Sequence, residues 1–312
     1  MATYLITGIA GFIGSSLARE LLAQGDNVRG IDNLATGKIA NLAEISDRID
    51  FRKADILDIA AVRDACSGVD YVLHQAAIPS VPRSVQNPLE SNQANVDGTV
   101  NVLIAAKDAK VKRVVYAASS SAYGDTPTLP KQEEMLPNPI SPYAVAKLAS
   151  EHYMAAFWRC YGLETVSLRY FNIFGPRQDP TSPYSGVLAK FITSMLKGES
   201  PTIFGDGKQS RDFTYVNNAV SANLLACKAP ANQVAGRVFN VATGRRVDLN
   251  ETFAILQKII GFKGEVTHGP ERTGDVKHSL ADLTRAKTYL GYVPKIGLEE
   301  GLEKTVQWYR GS

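Results

Sequence analysis

Tyr4-Leu5-Ile6-Thr7 runs directly into Gly8, Gly11 and Gly14, and Val28-Arg29-Gly30-Ile31 closes on Asp32. The first run reads as a buried parallel strand, and the glycines form Gly-x-x-Gly-x-x-Gly. Ile13, Leu17 and Leu21 then repeat every four residues, one face of a helix that stops at Gly25, where a left-handed cap suits glycine. Each part has a physical task. Glycines let backbone amides approach a pyrophosphate, the helix N-terminus is partially positive, and a carboxylate at the next strand end takes ribose hydroxyls. The unit predicts a bound dinucleotide, held by Gly8, Gly11, Phe12, Ile13, Gly14, Asp32 and Asn33. A carboxylate at position 32 would repel the extra phosphate of NADP, so NAD is expected.

The remaining composition is that of an ordinary globular protein: 312 residues, 45% hydrophobic, 21% charged and a net charge of +3. No dense Lys/Arg run marks a nucleic-acid or membrane surface. The three cysteines are far apart and in no Cys-x-x-Cys pattern, which suits reduced thiols. No apolar stretch reaches the ~18 residues of a membrane span, and the first strand starts almost at once, so a cytoplasmic protein is expected. The four histidines are scattered without ligand spacing, and no metal is expected.

Strands alternate with helices beyond Asp32, the pattern of an α/β, Rossmann-type, doubly wound parallel sheet. A strand from Phe51 ends near Asp55-Ile56, Ile59 to Cys66 is helical, and Tyr71 to His74 is a strand with Gln75-Ala76-Ala77 at its ligand edge. Ser80-Val81-Pro82-Arg83-Ser84 reads as a loop, because Pro82 opposes helix, and leaves Arg83 either solvated or facing an anion. A long helix from Pro88 to about Ala109 carries Asn95. Val114 to Ala117 is a strand leading to Ser119-Ser120-Ser121, and Thr165 to Leu168 is a later one. From Gly175 the alternation loosens. The expected organisation is a cofactor-binding domain over 1–172, with 213–242 packing back on it, and a smaller α/β substrate-binding lobe over 173–312.

Ser141-Pro142 is a helix start, after which Tyr143 and Lys147 share a face at i and i+4. Ala146, Ala149, Tyr153 and Ala156 form an apolar stripe expected to supply packing. Tyrosine titrates near pH ~10 and is a poor base at neutrality, but a neighbouring ammonium favours phenolate. Alone, Tyr-x-x-x-Lys is a weak signal. Beside a dinucleotide signature and a strand-end serine cluster it points to proton transfer by Tyr143.

These motifs, with Tyr123-Gly124-Asp125 and Leu168-Arg169-Tyr170-Phe171-Asn172, resemble the extended short-chain dehydrogenase/reductase family. Within it the chain resembles NAD-dependent nucleotide-sugar 4-epimerases, most of all the bacterial UDP-N-acetylglucosamine 4-epimerases, through His74 to Ala77, Ser80 to Ser84, Arg177 to Pro180, Ser210 to Phe213 and Gly274 to Asp282. The resemblance implies that Tyr143 takes the proton of the sugar 4-hydroxyl as hydride passes from carbon 4 to NAD, and that Ser119 hydrogen-bonds the reacting oxygen. Ser120 or Ser121 could share that work. Lys147 would hold the nicotinamide ribose. Asp55 and Ile56 would flank the adenine, with Gln75, Ala76, Ala77, Asn95 and Tyr170 also at the cofactor. Ser80, Val81, Arg83, Ser119, Ser121, Asn172, Val187, Arg211, Arg272, Asp275 and Ser279 would line the UDP-sugar site, the arginines suiting a diphosphate.

Related 4,6-dehydratases carry Thr-Asp-Glu at the serine triplet and the decarboxylases usually a glutamate at position 121, so this chain departs from both patterns. Ser279 aligns with a position that is small where a 2-acetamido group is accepted. UDP-GlcNAc/UDP-GalNAc is therefore expected to be accepted, and UDP-Glc/UDP-Gal more slowly. A UDP-glucose or UDP-glucuronate 4-epimerase is the alternative, and a non-catalytic NAD(H)-binding regulator a different class. The family's habit implies a homodimer, to which Met154, Phe157 and Trp158 would add apolar area if they are not core.

Overall fold

The computed structural model describes residues 1–180, 186–270 and 277–311. Its first half alternates β1 (Thr3–Thr7), α1 (Phe12–Ala23), β2 (Asn27–Asp32), β3 (Asp50–Lys53), α2 (Ile59–Cys66) and β4 (Tyr71–His74). Then come α3 (Val81–Gln86), α4 (Pro88–Asn92), α5 (Gly98–Asp108), β5 (Arg113–Ser119), α6 (Pro142–Tyr161) and β6 (Glu164–Tyr170). Beyond Asn172 follow β7 (Ile173–Phe174), α7 (Val187–Leu196), β8 (Thr202–Phe204), β9 (Ser210–Arg211), β10 (Thr214–Tyr215) and α8 (Val216–Lys228). The chain ends through α9 (Ala231–Val234), β11 (Arg237–Val241), β12 (Val247–Asp248), α10 (Leu249–Ile260), β13 (Thr267–Gly269), α11 (Thr284–Leu290) and α12 (Leu298–Gly311).

Seven parallel strands form the main sheet in the order β11-β6-β5-β4-β1-β2-β3. The order reverses between β1 and β4, the crevice where such sheets bind ligands. Residues on a strand alternate between faces. Leu5, Val72, Val114 and Tyr116 thus belong to one core with residues of α2, α5 and α6, while Ile6, Leu73, Val115 and Leu168 belong to the other with α1 and α8. The small sheets β7/β10, β9/β12 and β8/β13 build the C-terminal part.

Residues 173–212 leave the sheet, and α8 and β11 bring the chain back, β11 pairing with β6 along its length. Buried Arg113 fastens this return. Its guanidinium donates to the carbonyls of Ala226 (2.6 Å), Cys227 (3.1 Å) and Ala229 (2.7 Å) at the C-terminal end of α8, and to Glu164 (2.8 and 2.5 Å).

Two expectations are corrected. Ser80 to Ser84 is not a loop: Pro82 sits in the first turn of α3, where its missing N–H costs nothing, and Ser80 Oγ caps it by accepting the Arg83 N–H at 3.1 Å. Of the stripe Ala146, Ala149, Tyr153 and Ala156, Ala146 is buried and Ala149 half-buried, whereas Tyr153 and Ala156 are exposed and do not supply packing. The buried face of α6 is Ala146, Lys147, Ser150, Glu151, Met154 and Phe157. Glu151 can be there because Arg169 binds it with two hydrogen bonds, 2.9 and 2.6 Å.

Candidate active site

The glycine turn is a close-packed cradle. Gly8 has φ +71°, and a Cβ there would lie 2.8 Å from the Ala76 nitrogen; one on Gly14 would lie 2.2 Å from the Gly8 oxygen. No side chain caps α1, so the N–H groups of its first turn are left to another partner. A pyrophosphate fits that cradle. At the end of β2 the buried Asp32 carboxylate accepts the N–H groups of Ala10 (2.9 Å) and Leu34 (2.8 Å). Burial raises its pKa and these bonds oppose the rise. Asn33 reaches across to Asp55 at 2.7 Å, and Ile56 is buried next to Gly98.

At the end of β4, Gln75 forms a triangle with Tyr170 and Asn223. The Tyr170 hydroxyl is 3.2 Å from Gln75 Oε1, and Asn223 Nδ2 donates to that hydroxyl at 2.7 Å. Asn223, on α8, carried no signal in the sequence. The Ala76 N–H goes to Thr7 Oγ1 at 3.1 Å, and Ala77 follows it in the same turn. Asn95 lies buried in a π-helical turn between α4 and α5. Its side chain takes the Ile78 N–H (2.8 Å) and donates to Ile78 O (3.3 Å), so it shapes the loop after β4.

The serine cluster and the Tyr143–Lys147 pair lie where β5 ends and α6 begins. Ser141 caps α6 by accepting the Ala144 N–H at 3.2 Å, and the Tyr143 N–H donates to Ser84 Oγ at 3.0 Å, so α3 fixes the start of that helix. Ser121 donates its hydroxyl to Ser119 Oγ at 2.8 Å. Burial raises the Tyr143 pKa, and the neighbouring Ser119 side chain lowers it. Ser120 opens the short turn beyond Ser119, outside that relay. Lys147 is buried, donates to Ala117 O at 2.9 Å, and is brought by desolvation down to about 7. The chain thus holds a phenol, a hydroxyl relay and an ammonium on one wall of the crevice, a set suited to moving one proton.

On the facing side, Asn172 Nδ2 donates to Asp212 O (3.2 Å) and Ser279 Oγ (3.1 Å), and Arg211 braces its guanidinium on the carbonyls of Ser210 (3.1 Å) and Lys277 (2.9 Å). Val187 opens α7. Arg83, expected to be solvated or to face an anion, is paired with Glu90 on α4. Arg272 and Asp275 lie outside the described residues. Asp212, not foreseen, is fully buried, and its carboxylate accepts from Thr243 N (2.9 Å) and Oγ1 (2.7 Å), Gly244 N (3.0 Å) and Ala281 N (3.3 Å). It ties Arg211 and Ser279 into one wall. Among the described residues no helix is long and apolar enough to cross a membrane.

Residues 4–242 match the model of the NAD dependent epimerase/dehydratase family. A UDP-glucose 4-epimerase of Mycolicibacterium smegmatis is 40% identical over 310 residues, covering 98% of both chains. Among solved structures, the UDP-glucose 4-epimerase of Thermotoga maritima with UDP-glucose superposes with a TM-score of 0.94 at 39% identity, covering 99% of each chain. The UDP-N-acetylglucosamine 4-epimerase of Methanobrevibacter ruminantium, in complex with UDP-N-acetylmuramic acid, gives 0.94 at 40% identity, covering 99% of this chain and 98% of that one.

Proposed function

The chain belongs to the NAD-dependent epimerase/dehydratase family, and from that premise we propose that it is a UDP-sugar 4-epimerase whose preferred pair is UDP-GlcNAc and UDP-GalNAc. The observation that carries the reaction is the placement of Tyr143 beside Ser119, one helical turn before the buried Lys147 on α6. NAD, when bound, supplies a hydride acceptor that returns the hydride within the same cycle, so no net redox change occurs.

This chain's residues handle the proton and the grip. Tyr143 holds the proton of the sugar 4-hydroxyl at its phenolic oxygen while carbon 4 is a flat ketone, then returns it. Ser119 hydrogen-bonds the reacting oxygen, with Ser121 behind it. Lys147 supplies positive charge that offsets the burial of a phenolate. Asn172 and Arg211 hold the UDP half, so the ketone can present its other face without leaving. A firm hold on the nucleotide and a loose one on the hexose fit that requirement.

The choice of acetamido sugars rests on Ser279, whose small side chain beside Asn172 leaves room at the sugar. UDP-glucose and UDP-galactose fit the same space and are expected to turn over more slowly. The unpaired cysteines accord with a cytoplasmic protein. A homodimer is supported by the outward face of α6, where Val145 and Tyr153 are about half exposed (52% and 42%) and Ala156 is exposed. Met154 and Phe157 do not contribute to such a face, because they are core (1% and 7% exposed), and Trp158 is half-buried.

A panel of UDP-sugars read by carbon-4 inversion tests the proposal. Turnover of UDP-GlcNAc that is abolished in Tyr143→Phe, with NAD still bound, is the expected result. No turnover of any UDP-sugar by the wild-type protein would instead leave an NAD(H)-binding protein without chemistry.

A further inference from the structure

Among the described residues Lys147 has no carboxylate partner. It sits on the α6 wall with its ammonium 4.8 Å from the ring centroid of Tyr116, a fully buried residue of β5, and its one hydrogen bond runs to Ala117 O at 2.9 Å. Glu151, one turn along α6, is taken up by Arg169 from β6. From β4, His74 packs its ring 5.5 Å from that of Tyr116, and burial together with Lys147 keeps it neutral by lowering its pKa to about 3. His74 Nδ1 lies 2.7 Å from Thr7 Oγ1, which also accepts the Ala76 N–H. His74 Nε2–H then donates to Thr99 Oγ1 at 2.9 Å, and that hydroxyl donates to Asn95 O at 2.6 Å. The remaining titratable neighbour is Tyr143 on α6 itself. Among the described residues, the ammonium therefore has two electron-rich contacts, a carbonyl and an aromatic face.

The Tyr116 hydroxyl is buried and makes no hydrogen bond among the described residues. An unsatisfied buried hydroxyl is a cost, so it does not explain a tyrosine at this place, whereas the ring does.

We infer that Tyr116 is a positioning residue whose aromatic face keeps Lys147 charged and aimed at the reacting edge. This rests on the reading of Tyr143 and Lys147 as the proton-transfer pair. A cation over an aromatic face is attracted by the ring quadrupole, most strongly where water is excluded, and burial alone brings the lysine down to about 7. Without the ring the ammonium loses its proton at lower pH, and the Tyr143 phenolate loses its support.

The test replaces residue 116 by phenylalanine and by mono-, di- and trifluorophenylalanine, which drain the ring of electron density at nearly constant shape. The Lys147 titration is followed by 13Cε NMR on the purified protein without added sugar, its resonance assigned by its loss in Lys147→Met. Tyr116→Phe should keep the wild-type titration point. The fluorinated series should lower it stepwise, by about one pH unit at the trifluoro end, with kcat falling up to about tenfold and KM unchanged. A titration point that stays constant across the series overturns the inference. A series that moves the lysine in a protein without epimerase activity upholds the ring's action on Lys147 and removes the functional reading instead. Because the series preserves volume, the result does not depend on whether Tyr116→Leu folds.

Discussion

The Ser279 hydroxyl stands 3.1 Å from Asn172 Nδ2 and also faces the Asp212 N–H at 3.3 Å, so one small side chain joins three segments of the chain. Ser279→Tyr would fill the space beside Asn172. Turnover of UDP-GlcNAc should fall at least about tenfold more than turnover of UDP-glucose, since filling a pocket rejects the larger group. The loss of the Asn172 and Asp212 contacts lowers both rates, so the measured quantity is the ratio of kcat/KM values. Equal losses on the two sugars would count against Ser279 as the selector.

On the proposed reading, Asp32 sets coenzyme choice by charge. Asp32→Ala removes the carboxylate and two backbone hydrogen bonds. Binding of NAD should weaken, while the preference for NAD over NADP should shrink by about tenfold or more, because the repulsion of the extra phosphate is gone. Titration of the variant with both coenzymes measures this directly.

Gly14 cannot carry a side chain, since the intruding Cβ would meet backbone atoms of Gly8 and Ile9 at 2.2 to 2.9 Å. Gly14→Ala should cost about 2 kcal/mol or more of stability, and the purified variant should hold less NAD than wild type. Urea unfolding together with coenzyme content checks both halves.

His74 makes the fold sensitive to acid. Burial and Lys147 bring its pKa to about 3, below the ordinary value of 6.5. The folded protein therefore binds fewer protons than the unfolded chain between these values. Its stabilising effect is complete above pH ~6.5 and is lost as pH falls toward ~3, by about 2–3 kcal/mol at pH ~4.5. His74→Phe is less stable at neutrality, where Thr7 and Thr99 lose a partner. Its stability should nonetheless vary less between pH ~6.5 and ~4.5 than that of wild type, as read from urea midpoints.

Tyr153 lies on the outward face of α6. Tyr153→Glu should shift the molar mass seen by light scattering from dimer toward monomer without loss of the folded circular dichroism spectrum. A mass unchanged by this substitution and by Val145→Glu would place any pairing surface elsewhere.

The cofactor half was legible because its signals are local. Strand, glycine turn, helix and acid lie within Tyr4 to Asp32, and Tyr143 and Lys147 are one turn apart. Misreadings arose where burial is non-local. The inner face of α6 includes Lys147, Ser150 and Glu151, polar residues that apolar periodicity cannot mark, so that periodicity points instead to the stripe through Tyr153. Pro82 read as a helix breaker, although the first turn tolerates it. His74 is held by Thr7 and Thr99, 67 and 25 residues away, and Asp212 by donors 31 to 69 residues away. No short window contains those partners.

The bonds from Arg113 to the carbonyls at the C-terminal end of α8 have a practical consequence for anyone dissecting the molecule. A gene fragment stopped at residue 172 would leave β6 as a bare sheet edge and strand a buried guanidinium. Making a minimal coenzyme-binding half therefore calls for splicing the 213–242 stretch back on with an artificial linker. A single stop codon would yield insoluble material.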